Sequence, residues 1–172
     1  MRGKRRYQGR MRCALIPLVL LAIAAPAWAR ESLGVFGDWG AFRDPEAPRC
    51  YAIAAAETVR SRRDRDAYAT IGTWPRRSVR AQVHFRMGRE LAERPRVRLA
   101  IGGDRFDLSA SGENAWGANA IQDSAIVRAM RSAARMSISA TDARGNRFTD
   151  TYSLDGAATA IDAAAVGCSP RR

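Results

Sequence analysis

The chain has one histidine, one lysine and three cysteines in 172 residues. With His84 as its sole imidazole, it offers no histidine pair for HExxH-type zinc chemistry. Any Ser-His-Asp arrangement would have to pass through that one residue. No CxxC spacing and no His-rich cluster is present, so a thiol-redox or zinc-finger role has no ligands. No GxSxG elbow, Walker loop or dinucleotide fingerprint occurs. The 17 acidic residues include no pair whose spacing marks acid–base work. Asp104 and Asp107 flank a turn but lack the pattern of a calcium loop. No catalytic, cofactor-binding or metal-ligating residue is therefore assigned, and the chain reads as a non-enzyme. The longest apolar run also falls short of the ~20 residues a spanning helix needs.

That run belongs to a leader. Arg2, Lys4, Arg5, Arg6, Arg10 and Arg12 precede it with no acidic residue among them, and residues 14–25 are apolar. Pro26-Ala27-Trp28-Ala29 closes it with a small-x-small cleavage pattern. Residues 1–29 are thus expected to be a secretory signal peptide, cut between Ala29 and Arg30, whether translation starts at Met1 or Met11. The alternative is an uncleaved anchor. Cys13 follows Met11 and Arg12, which is not a lipoprotein context. Residues 30–172 are expected to form one periplasmic or secreted domain without a transmembrane helix.

The leader changes the charge and cysteine arithmetic. Six of the 29 basic residues and none of the 17 acidic ones leave with it; the remaining 23 arginines give +6 in place of +12. Export removes nucleic acid as the usual partner of a basic chain, leaving an envelope or host-surface protein, an anionic glycan or an anionic lipid. Cys50 and Cys168 remain. In an oxidising compartment they are expected to form a disulfide; the alternative is two thiols too far apart to bond.

Periodicity favours strands. Val79, Ala81, Val83, Phe85 and Met87 alternate with Arg80, Gln82, His84 and Arg86, a half-buried strand with one wet face. Val97, Leu99 and Ile101, a Gly102-Gly103-Asp104 turn, and Phe106, Leu108 and Ala110 read as a hairpin. Met136, Ile138 and Ala140 read as another strand, with a return from Phe148 to Leu154. Residues 39–42, 50–55 and 68–74 carry weaker strand patterns. Two helices are expected: one over 124–135 capped by Asp123, and an alanine-rich one opened by Asp155 and ended by Gly167. With no βαβ rhythm, the expectation is a mainly β, single antiparallel sandwich-like domain with two short helices, the second at the C-terminus. Residues 60–66 read as a solvated charged loop.

The wet face Arg80, Gln82, His84 and Arg86, with Arg98 on an expected neighbouring strand, is a candidate partner-binding patch that salt would weaken. The competing reading is a solvated face whose arginine stems cover apolar surface. Trp39, Trp74 and Trp116 read as core or rim residues.

Two short motifs carry a resemblance. Phe36-Gly37-Asp38-Trp39 stands just after the leader, ahead of Cys50, and Ser153-Leu154-Asp155-Gly156 leads into the alanine helix. Their order resembles the invasion-associated locus B family of exported proteobacterial proteins. Cys50 matches a family position; Cys168 does not, so no disulfide pattern is carried over. The resemblance implies a small extracytoplasmic β-rich domain, and the family's association with entry into host cells implies partner binding. The reading for function is a periplasmic or envelope-associated binding protein with a role at host cells. Its alternatives are a periplasmic hydrolase using His84, and an inhibitor or accessory subunit of an envelope enzyme.

Overall fold

The computed structural model describes residues 30–57 and 66–169. The leader, the cleavage point after Ala29, and residues 60–65 of the charged loop lie outside them. Ten strands run in chain order: β1 (Glu31–Phe36), β2 (Trp39–Asp44), β3 (Arg49–Ala55), β4 (Tyr68–Trp74), β5 (Val79–Arg86), β6 (Val97–Ile101), β7 (Asp104–Ser111), β8 (Asn114–Trp116), β9 (Arg135–Thr141) and β10 (Arg147–Ser153). Helix α1 (Ala120–Met130) separates β8 from β9, and α2 (Ala157–Gly167) follows β10. Every pairing is antiparallel, in the order β1-β2-β3-β4-β5-β8-β7-β6-β9-β10. The fold is mainly β and sandwich-like. Strand β7 makes it so: its first part pairs with β6 and its last three residues pair with β8. It thereby bends from one layer into the other.

Alternation decides what each layer buries. In the first layer, Ala41, Ala52, Ile71 and Val83 are partners across β2 to β5, and Ala54, Ala69, Phe85 and Ala115 form the next inner row. All eight are buried. Leu99, Met136, Ile138 and Tyr152 supply the facing layer, and the Phe85 and Tyr152 rings meet at 5.9 Å. The alanines on β2 and β3 leave room for α2, which buries Ala157, Ala160, Ile161 and Ala164 against β1–β4. A disulfide joins Cys50 on β3 to Cys168 at the end of α2, with Cα atoms 5.7 Å apart. Closing that 118-residue separation restricts the unfolded chain by about 5 kcal/mol in the entropic account. The Arg43 guanidinium adds a second tie, donating from Nε to the Gly167 carbonyl at 3.1 Å.

The two motifs meet in space. The Asp38 N–H donates to the Asp155 carbonyl at 3.1 Å, and the Trp39 indole N–H to the Ser153 carbonyl at 2.9 Å. Gly156 has φ +79°, and a Cβ there would stand 1.8 Å from the Phe36 carbonyl oxygen. The pair of motifs is thus a joint that fastens the β1–β2 turn to the entrance of α2.

Both helix starts differ from the sequence reading. Asn119 caps α1, accepting from the Gln122 N–H at 3.0 Å, and the Gln122 side chain reaches back to the Ala118 N–H at 2.7 Å. Asp123 is instead buried, its Oδ1 accepting from the Val83 N–H at 3.2 Å across to β5. Burial raises the Asp123 pKa and that backbone N–H opposes the rise. Gly156, not Asp155, caps α2, and Gly167 is its last residue. Strands β1 and β8 had no sequence signal of their own. Arg135, read as helical, opens β9.

Candidate functional site

The two outer faces differ in chemistry. On the layer of β6, β7, β9 and β10, Arg98 pairs with Asp107 at 3.4 Å and the Ser139 and Thr149 hydroxyls meet at 2.9 Å. That face is polar, as a solvated antiparallel face should be. The outer face of the other layer is aromatic. Register places Phe42, Tyr51, Gly72 and Gln82 in one row across β2–β5. Ile53, Thr70, His84 and Trp116 form the next across β3, β4, β5 and β8, and Tyr68, Arg86 and Asn114 a third. Val35, 73% exposed, extends the face on edge strand β1 opposite Gly40.

Rings and polar groups alternate there. Phe42 and Tyr51 are 5.8 Å apart, and the Arg49 guanidinium lies over Tyr51 at 4.8 Å while pairing with Asp44 at 3.5 Å. His84 sits 5.4 Å from Trp116 and 6.1 Å from Tyr68. Trp74 folds back along its own strand until its ring occupies the space above Gly72: a Cβ on Gly72 would stand 2.6 Å from ring atoms Cη2 and Cζ3. Gly72 is therefore a requirement of the Trp74 position, not of the backbone.

His84 is a fixed node. Its Nε2 lies 2.9 Å from Asn114 Oδ1 and its Nδ1 3.3 Å from Thr70 Oγ1. An Nε2–H donor and an unprotonated Nδ1 acceptor satisfy both contacts with the ring neutral. Burial lowers its pKa, the charges of Arg49 and Arg86 add to that, and the Asn114 contact opposes it. Hydroxyl, imidazole and amide are connected in the order of a nucleophile, base and orienter. No carboxylate of the described residues hydrogen-bonds to the ring, and neither described cavity, of about 640 and 340 Å³, is lined by it. Among the described residues no cluster of three His, Cys, Asp or Glu side chains could hold a metal ion.

The patch residues read from sequence are divided by the structure. Gln82, His84 and Arg86 do share the outer face, and Arg86 pairs with Glu113 at 2.8 Å. A bulge separates Arg80 from them: Ala81 has φ +52°, and Arg80 and Ala81 together oppose Thr73. Thr73 Oγ1 accepts the Ala81 N–H, and Asp123 the Val83 N–H, so the bulge leaves neither donor unpaired. Arg98 is separated from β5 by β8 and β7 and is not on a neighbouring strand. Trp39 is core, fully buried; Trp74 and Trp116 are half-buried on the outer face. Their partnership was illegible because β8 had no strand signal, and only β8 brings Trp116 beside His84.

The architecture defines a class: a two-layer antiparallel β domain whose C-terminal helix is bound to its first strands by a disulfide. A solved structure shares the fold. The chain is similar to invasion associated protein B from Bartonella henselae, with a TM-score of 0.57 and 14% identity over 79% of this chain and 98% of that one. Comparison with protein-family models and with curated protein sequences finds no match. Among the described residues no helix is long and apolar enough to cross a membrane.

Proposed function

We propose that this chain is an exported, envelope-associated protein that acts by binding a partner through the aromatic outer face of the β1–β5/β8 layer. The observation that carries this reading is the contrast between its two solvent faces. One is covered with serine, threonine and the Arg98–Asp107 pair; the other presents Phe42, Tyr68, Trp74 and Trp116, each partly exposed, around a buried Tyr51. Aromatic rings gathered on one open sheet face mark an interaction site. The signal-like leader and the disulfide support a location outside the cytoplasm. The neighbour's association with invasion supports a role for this surface at the host cell.

The test is co-sedimentation of the purified exported protein with envelope fractions, wild type against Trp116→Ala. The substitution is expected to weaken retention about tenfold or more, as for a truncated aromatic anchor, with an unchanged circular dichroism spectrum. Equal retention of both proteins would refute the assignment of the face.

A further inference from the structure

We infer that the occupant of this face is an acidic glycan, a polysaccharide bearing carboxylates, with sugar rings stacked on Trp74 and Trp116; this rests on the binding reading above. Three observations select it. First, apolar and hydrogen-bonding groups alternate residue by residue. Trp74 lies beside Gln82, whose amide makes no hydrogen bond among the described residues, and Trp116 lies beside His84 and its Asn114 partner. A protein-binding hot spot gathers its apolar residues into one core inside a polar rim. A sugar ring presents C–H groups to an aromatic face, whose quadrupole is negative, and hydroxyls around its edge. Alternating rings and amides match that pattern.

Second, the indole positions are set by the sheet. The ring of Trp74 is seated in the space left by Gly72, and Trp116 packs, tilted, at 5.4 Å against a histidine fixed through both nitrogens. Between Gly72 and Trp116 lie two strand spacings and one same-face step, a separation of about 12 Å from sheet geometry. That is a span of a few sugar rings, and pre-positioned side chains reduce the entropy lost on binding.

Third, the charge at the Trp74 end is complementary to an acid. The β4–β5 connection carries Arg76 and Arg77, both exposed, and among the described residues neither has a carboxylate partner. Elsewhere on this face Arg49 and Arg86 are paired with Asp44 and Glu113. Unpaired guanidiniums are free to take carboxylates.

The experiment is native affinity electrophoresis of the exported protein in gels containing polygalacturonate, with dextran and anionic phospholipid vesicles as separate arms. Titration of tryptophan emission with short oligogalacturonides accompanies it. Polygalacturonate is expected to retard the protein, less so as salt rises, and oligogalacturonides to shift the emission. Trp74→Ala is expected to weaken binding about tenfold or more. The double variant Arg76→Gln, Arg77→Gln is expected to lose the preference for polygalacturonate over dextran. Should the tryptophan variant misfold, the arginine double variant and the emission of the unaltered protein decide. Envelope retention that depends on Trp116 without any retardation by polygalacturonate would overturn the glycan and leave the binding reading standing. Binding to vesicles alone, or retardation unchanged in both variants, would overturn it equally.

Discussion

Gly156 is the residue on which the joint between the two motifs turns. Its φ of +79° already disfavours a side chain, and a Cβ would collide with the Phe36 backbone, which cannot rotate away as a side chain could. Gly156→Ala is expected to lower the unfolding free energy by ~3 kcal/mol, read from urea denaturation, which is the scale of backbone-strain losses. His84 carries a second residue-scale prediction. Burial lowers its pKa, so as pH falls below the ordinary value of about 6.5 the unfolded chain takes up a proton that the folded chain resists. Its contribution is therefore present above pH 6.5 and lost as pH falls through the folded pKa. Wild type is expected to lose more stability than His84→Gln between pH 7 and pH 5; parallel losses in paired urea titrations would show that His84 contributes nothing.

Among the elements, α2 depends on tertiary ties. Its start has no side-chain cap, and it has no acidic residue in its first turn and no basic one in its last. Its alanines favour helix, but its place comes from the small residues of β2 and β3, the Cys50–Cys168 bond and Arg43. Replacing both cysteines by alanine is expected to cost roughly 3–5 kcal/mol in denaturant unfolding. The denatured exported protein is expected to show no reactive thiol. The elements also show where sequence signals stop. The hairpin through Gly102-Gly103 and the strand over 68–74 were legible because alternation and turn chemistry are local. Helix α1 starts four residues before the position that Asp123, a cap-like residue, marks for it in the sequence. The Asp123 carboxylate instead accepts the Val83 N–H on β5, 40 residues away, which no local pattern records.

At the scale of the whole molecule, β1 begins at Glu31, one residue after the expected cleavage point. N-terminal sequencing of the exported protein is expected to begin at Arg30; a start beyond Glu31 would shorten β1, and one beyond Phe36 would remove one side of the motif joint. The sequence by itself determined the β class, the two helices, the leader pattern and the two cysteines, because periodicity, composition and turn residues act over a few neighbours. It also marked Gln82, His84 and Arg86 as one wet face. Only the tertiary structure decided what that face is. Strand order put Tyr68 and Trp116 beside His84, set Phe42, Tyr51 and Trp74 on the same face and sent Arg98 three strands away, and a bulge took Arg80 out of phase. The physical reason is that a sheet face is assembled across strands. Its rows join residues tens of positions apart, and alternation along one strand says only that a side chain points outward, not what stands next to it.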